Sequence, residues 1–184
     1  MIASRSLKKE TKKKCTAKSC SIEACDCKEV IIKTSEGLIK IELNPDKAPN
    51  TVKNFISYVK KGHYNGTIFH RVISNFMIQG GEHTLNNQQK KPGEAIKSEA
   101  NNGLKNETGT IAMARTNDPD SAKAQFFINV RNNPFLNYSD KKPGYTVFGK
   151  VTEGMDVVNK IRIAKTDNKN WPIKPTVMEK VELV

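Results

Sequence analysis

Two strand-like apolar runs lie within residues 69–81, which read FHRVISNFMIQGG and carry the polar side chains Arg71 and Gln79. A further apolar run at 124–130, AQFFINV, carries Gln125. Such runs are typical of core strands, in which Arg71 would extend to water and Gln79 would cap a strand end. They equally fit an apolar groove whose guanidinium and amides bind an uncharged, partly apolar ligand such as a peptide. The pattern alone leaves both interpretations open.

Strands dominate the rest of the sequence as well. Apolar and polar residues alternate at 30–33 and 38–43, which predicts a β-hairpin across Ser35-Glu36-Gly37. Further strands are predicted at 67–73, 76–79, 110–114, 125–130, 146–151 and near 176–184, separated by stretches rich in Gly, Asn, Pro and Lys such as 81–95 and 137–144. Because no regular alternation of strand and helix is visible, this order favours a mainly-β barrel or sandwich over a doubly wound sheet.

Two amphipathic helices accompany the strands. The first lies within 48–64, where apolar residues recur at helical spacing, namely Val52, Phe55, Ile56 and Val59. Pro49 suits its first turn, and Gly62 suits its C-terminal cap. The second helix is predicted around 154–162.

Length and charge limit the class of protein. The chain has 184 residues, enough for one domain, and its 31 Lys and Arg exceed its 19 Asp and Glu to give a net charge of +12. This excess permits anionic partners without requiring them. No apolar run approaches the roughly 18 residues of a membrane helix. The first residues, MIASRSLKKETKKK, lack the apolar stretch of a secretory signal, so we expect a cytoplasmic protein without a membrane span.

Residues 1–28 differ in composition from the rest of the chain. They hold eight basic and three acidic residues and no aromatic residue, which predicts a flexible basic arm in front of one folded domain at 29–184. Contact of this arm with nucleic acid or acidic lipid is open, but aromatic residues for stacking on bases are missing.

All four cysteines of the chain lie in this arm, at positions Cys15, Cys20, Cys25 and Cys27. Their spacing is C-x4-C-x4-C-x-C, whereas a zinc site usually presents two well-separated pairs, so a solvated tail with reactive thiols is favoured over a metal site. Free thiols, disulfides and a bound metal all stay open for these residues.

Several common kinds of active site are missing from the sequence. It contains no G-x-S-x-G turn, no phosphate-binding loop and no G-x-G-x-x-G motif. His63, His70 and His83 are scattered without the spacing of metal ligands, so we expect them to pack in the fold or lie on its surface. These observations argue against a hydrolase, a kinase or a dehydrogenase. We predict no cofactor and no metal site, apart from the metal left open for the four cysteines.

Ordered blocks of this sequence resemble the cyclophilins, the family of peptidyl-prolyl cis–trans isomerases. The matching blocks are APNTVKNFISY (48–58), FHRVISNFMIQGG (69–81), GTIAMAR (109–115), SAKAQFFINV (121–130), FL (135–136) and VFGKVTEGMDVV (147–158). The resemblance extends over about residues 30–184, and the arm falls outside it. ANNGLKN (100–106) and AMART (112–116) look most like the compact bacterial type called peptidyl-prolyl isomerase B.

The resemblance implies an eight-stranded antiparallel β-barrel closed by two α-helices, with a substrate groove on its outer face. It also implies an enzyme that accelerates rotation about Xaa-Pro bonds and assists protein folding. Its partners would be proline-containing segments of unfolded or folded proteins, and we expect a monomer that needs no cofactor.

Carried over by motif, Arg71 is the expected catalytic residue. The expected substrate-binding residues are Phe76, Met77, Gln79, Ala114, Arg115, Gln125, Phe127, Phe135, Leu136 and Tyr145. Phe135 stands where the better-known eukaryotic members have a tryptophan, and Tyr145 aligns with a histidine. Because an indole N–H at the first of these positions helps to hold cyclosporin, we predict weak binding of that drug.

Two other functions stay open at this stage. The fold could grip proline-containing segments without useful turnover, as a chaperone does. Alternatively, the basic arm could direct the protein to nucleic acid or to a membrane surface.

Overall fold

The computed structural model describes residues 28–184, so the prediction of a flexible arm and the state of its four cysteines lie outside the described residues. The strands are β1 (Glu29–Thr34), β2 (Gly37–Leu43), β3 (Thr67–Ile73), β4 (Met77–Thr84), β5 (Thr110–Met113), β6 (Phe126–Asn129), β7 (Val147–Glu153) and β8 (Val177–Leu183). The helices are α1 (Pro49–Lys60) and α2 (Met155–Arg162), and a short 3₁₀ turn covers Pro134–Leu136.

The strands form a closed antiparallel barrel in the order β1-β2-β7-β5-β6-β4-β3-β8. This architecture, with its two helices, confirms the predicted fold class and decides for a barrel against a sandwich. The interior is filled by side chains that point inward from the strands, among them Ile32, Ile41, Phe69 and Ile128. Closure pairs every strand on both sides and leaves no free sheet edge among residues 28–184.

Helix α1 closes over the barrel core with an aromatic side chain. The ring of Phe55 lies 5.6 Å from that of Phe126 and 5.1 Å from that of Phe148. The helix begins at Pro49 and ends at Lys60, and Gly62 supplies the predicted C-terminal cap. Its φ of +65° allows His63 and Gly62 to donate their N–H groups back into the last turn. No α-helix of the described residues is long and apolar enough to cross a membrane.

Strand β4 is longer than the sequence predicts. Residues 81–95 were predicted to connect elements, but the first four of them, GEHT, continue the strand to Thr84. The prediction was wrong there because Glu82 and His83 replace the apolar alternation that marks a strand. The 3₁₀ turn at Pro134–Leu136 was not predicted either.

Candidate active site

A second apolar cluster lies on the outer surface of the barrel. It contains Met77, Ala112, Phe127 and Val147, which come from four neighbouring strands and are separate from the interior core. Each alternates along its strand with an inward residue, as Phe127 does with Phe126 and Ile128. The cluster forms an apolar floor, and Leu136 from the 3₁₀ turn covers one side of it.

Aromatic side chains border this floor on the side of the 3₁₀ turn. Phe76, just before β4, stacks on Phe135 with 5.5 Å between the ring centroids, and Phe135 is 58% exposed. The turn is held in place by Asn133, whose buried side-chain amide donates to the Phe76 carbonyl at 2.9 Å. The ring of Phe135 therefore packs with one face on Phe76, while more than half of the residue stays open to solvent.

Tyr145 also borders the floor. Its ring meets Phe127 edge to face at 5.7 Å, and the guanidinium of Arg115 lies 4.3 Å above its centre. Arg115 also donates from Nε and Nη2 to the Gly144 carbonyl, at 3.0 and 2.7 Å, and from Nη1 to the Thr116 carbonyl at 2.8 Å. Its side chain thus fixes the loop that carries Tyr145.

A chain of polar side chains runs beside the floor. Arg71 on β3 pairs in register with Gln79 on β4, and its Nη1 donates to Gln79 Oε1 at 3.3 Å. Gln79 Nε2 donates in turn to Gln125 Oε1 at 2.8 Å. Gln125 continues the chain by donating from Nε2 to a carboxylate oxygen of Glu82. We call these four residues the polar chain.

A cavity of about 640 Å³ adjoins the polar chain. Its lining includes Gln79, Gln125, Ala114 and Arg115, together with Lys91 and other polar residues. Ala114 also packs against the apolar floor, so the cavity and the floor meet at this residue.

The structure brings the eleven predicted site residues to one outer face of the barrel. They are connected through the floor, the aromatic side chains that border it and the polar chain. Glu82, the fourth residue of the polar chain, was not among the predicted site residues. Sequence reasoning missed Glu82 because it sits in a stretch interpreted as a connection. The Gly80-Gly81 doublet before it was the available signal, since paired glycines in a strand often mark a bulge.

The three histidines take no part in these contacts. His63 packs against Tyr58 and Tyr64, and the rings of His70 and His83 lie 4.5 Å apart beside Trp171. Burial, with the neighbouring His83 and Arg71 adding to the effect, lowers the pKa of His70 to about 4. Within residues 28–184 there is no group of three or more His, Cys, Asp or Glu that could hold a metal ion.

An apolar floor edged by hydrogen-bond donors and acceptors suits an extended peptide better than a small charged ligand. The family model described as "Cyclophilin type peptidyl-prolyl cis-trans isomerase/CLD" matches residues 29–183. The chain belongs to the cyclophilin family, and its activity is that of a peptidyl-prolyl cis–trans isomerase.

Curated relatives and a solved structure agree with this assignment. The chain is 54% identical over 162 residues to "Peptidyl-prolyl cis-trans isomerase cyp18" of Streptomyces antibioticus, covering 84% of this chain and 98% of that protein. It is 57% identical over 136 residues to "Peptidyl-prolyl cis-trans isomerase B" of Escherichia coli, covering 72% and 83%. A cyclophilin type isomerase of Cryptosporidium parvum, crystallised in the presence of the dipeptide ala-pro, superposes with a TM-score of 0.74 at 28% identity, covering 85% and 98%.

Proposed function

We propose that the outer groove is where this isomerase acts, with Arg71 as the catalytic residue. The observation that carries the proposal is the position of the Arg71 guanidinium, which donates to Gln79, the residue paired in register with Phe127 of the apolar floor. A proline ring on the floor would bring its peptide bond next to a fixed cationic donor.

The chemistry requires no nucleophile and no base. Rotation about an Xaa-Pro bond faces a barrier near 18–20 kcal/mol, because twisting removes the amide resonance, although the two isomers differ by only about 0.5–1 kcal/mol. In the twisted state the proline nitrogen becomes pyramidal and regains its lone pair. A donor aimed at that lone pair stabilises the transition state more than either isomer. Arg71 suits this role because its guanidinium stays charged and its N–H directions are fixed.

The remaining groove residues would hold the substrate while one side of the bond turns. Phe76, Met77, Phe127 and Leu136 would contact the proline ring, and Phe135 and Tyr145 would border it. Gln79 and the backbone of Arg115 would anchor the polar groups of the residue before proline. The contacts of the Arg115 side chain with Tyr145 and Gly144 support giving the substrate contact to its backbone.

The test is a protease-coupled assay on a short Xaa-Pro peptide. We expect Arg71→Ala to fold normally and to lose about 10²–10³ in kcat/KM, by comparison with the loss of an oxyanion donor. Arg131→Ala, which removes an exposed arginine after β6, is the control and should keep full activity. Unchanged kcat/KM in Arg71→Ala would overturn the assignment of the catalytic residue.

Several finer properties stay predictions alongside this one. They are the monomeric state, the cytoplasmic location, the weak binding of cyclosporin and the action on proline-containing segments of unfolded or folded proteins. Contact of the basic arm with nucleic acid is left open. The chaperone alternative would gain support if well-folded wild-type protein bound the peptide without accelerating its isomerisation.

A further inference from the structure

Glu82 is a buried carboxylate beside the groove. Its side chain is on a residue only 5% exposed, and none of the ion pairs formed among residues 28–184 involves it. Its two oxygens accept hydrogen bonds from two different amides, Oε2 from Gln125 and Oε1 from Gln89 at 2.6 Å. Burying a carboxylate costs free energy unless hydrogen bonds replace those it made to water. The two amides therefore compensate for the burial of Glu82.

A local irregularity of β4 turns Glu82 toward the groove. A Cβ on Gly80 would lie 2.8 Å from the side chain of Met178, and one on Gly81 would lie 3.1 Å from that of Phe126, and both of these side chains belong to the core. Both positions therefore face the interior, and the register of β3 and β4 shifts here. Gly81 has a φ of +104°, which other residues rarely adopt. The bulge restores Glu82 to the face that Gln79 occupies.

The two ends of the polar chain fix the direction of every hydrogen bond within it. Arg71 can only donate, and an ionised carboxylate can only accept. Each amide between them must accept on the side of Arg71 and donate on the side of Glu82. This leaves one orientation for Gln125 and one for Gln79, and in that orientation Gln79 presents Oε1 to the guanidinium.

We infer that Glu82 is a positioning residue, which acts through Gln125 and Gln79 to hold the Arg71 guanidinium in its reactive orientation. The inference rests on the proposed role of Arg71. Without the carboxylate, Gln125 Nε2 loses its charged acceptor, and hydrogen bonds to a charged group are about twice as strong as neutral ones. The side-chain amides of Gln125 and Gln79 can then flip, so that oxygen and nitrogen exchange places. A flipped Gln79 would present its NH₂ group, a donor, to Arg71 instead of its oxygen.

The test combines three variants with a double-mutant cycle. Glu82→Leu removes the acceptor with little change in size, and we expect it to lower kcat/KM about tenfold. Glu82→Gln keeps an oxygen that accepts from Gln125. Its new NH₂ group would face Gln89, which is exposed and can flip its amide to accept, so we expect activity within about threefold of wild type. Gln88→Ala, at an exposed residue of the neighbouring loop, is the control and should leave activity unchanged.

The cycle separates action through Arg71 from any other role. In the Arg71→Ala background, Glu82→Leu should cause no further loss, because the group it positions is gone. A tenfold loss that persists in that background would overturn the inference, since Glu82 would then act on the fold, or on the substrate directly or through Gln79 alone. An unchanged rate in Glu82→Leu alone would overturn it as well. Full activity of Arg71→Ala would overturn both proposals, so the two failures are distinguishable.

A second readout follows the guanidinium itself. The Nε–H resonance of Arg71 in NMR should show a rigid side chain in wild type and increased motion in Glu82→Leu, and a purely structural role elsewhere would leave it unchanged. If Glu82→Leu does not fold, Glu82→Ser carries the same predictions, because its side chain is too short to reach Gln125.

Discussion

Each residue of the polar chain has a different hydrogen-bonding role at this site. Arg71 lies at its donor end and Glu82 at its acceptor end, with Gln79 and Gln125 between them. The sequence indicates Arg71 and the two glutamines, because polar residues within apolar strands stand out. It does not indicate Glu82, since its contact with Gln125 spans 43 positions and depends on a bulge.

Phe135 sets the expected response to cyclosporin. It is exposed and offers an aromatic face, but it lacks the N–H donor that the resemblance to eukaryotic cyclophilins associates with the drug. Phe135→Trp should therefore tighten inhibition by about three- to tenfold, which corresponds to one hydrogen bond. Inhibition constants from the peptide assay measure this, with Tyr138→Trp as the control because Tyr138 is also an exposed aromatic residue. A nanomolar constant for the wild type would contradict the prediction.

His70 makes stability depend on pH. Since burial lowers its pKa to about 4, the ring stays neutral in the folded protein, whereas in the unfolded chain it takes a proton near pH 6.5. The unfolded chain thus binds more protons between these values, and the free energy of unfolding falls as pH is lowered from 6.5 to 4, by at most about 3 kcal/mol.

Urea denaturation at several pH values tests this dependence. Carboxylates also titrate at the acid end, so the quantity to compare is the difference between wild type and His70→Phe. We expect the wild type to lose more stability than the variant over this window. Parallel curves for the two proteins would show that His70 is not the group responsible.

Among the elements, α1 shows how a distant side chain completes a helix. No side chain of its own caps its N-terminus; instead the Glu99 carboxylate accepts from the backbone N–H groups of Asn50 and Thr51, at 3.0 and 2.9 Å. This satisfies two of the free donors and places a negative charge at the positive end of the helix dipole.

Removing this carboxylate should cost stability but not activity. We expect Glu99→Ala to lower the free energy of unfolding by about 1–2 kcal/mol, which is the usual value of an N-terminal cap. Chemical denaturation measures the loss, and Glu107→Ala, at another glutamate in an exposed position, is the matched control. Equal stability of Glu99→Ala and wild type would contradict this role.

Local patterns predict the elements better than the contacts between them. The bounds of β3 agree with the prediction, and α1 has the predicted start at Pro49 and the predicted cap at Gly62, because periodicity and capping residues are local signals. The extension of β4 through GEHT and the Glu99 cap were missed. Both depend on neighbours far along the chain, which a single sequence does not display.

At the scale of the whole molecule, the closed barrel is the unit that supports the groove. The four strands β4, β6, β5 and β7 present the apolar floor on one side and the core on the other. The resemblance to the cyclophilins predicted eight strands and a closed barrel. The residue pattern alone did not distinguish a barrel from a sandwich. Pairing of β1 with β8 decides between them.

Removal of residues 1–27 should leave the isomerase intact. Lys28 is kept because its carbonyl accepts the N–H of Leu43 at 2.6 Å, at the edge of the first hairpin. We expect kcat/KM of the shortened protein to stay within about twofold of the full chain, since the candidate site residues all lie between positions 71 and 145. A filter-binding titration against salt would show in parallel whether any affinity for nucleic acid is lost with the arm. A large loss of activity would mean that the arm contributes to the site.

The decisive measurement separates binding from rotation on the enzyme. NMR can determine both the dissociation constant of one Ala-Pro peptide and the rate of cis–trans exchange of the bound peptide, in wild type and in Arg71→Ala. If Arg71 stabilises the twisted state, the dissociation constant should stay within about threefold while the exchange rate falls about 10²–10³-fold. An exchange rate in Arg71→Ala equal to that of the wild type would contradict the mechanism.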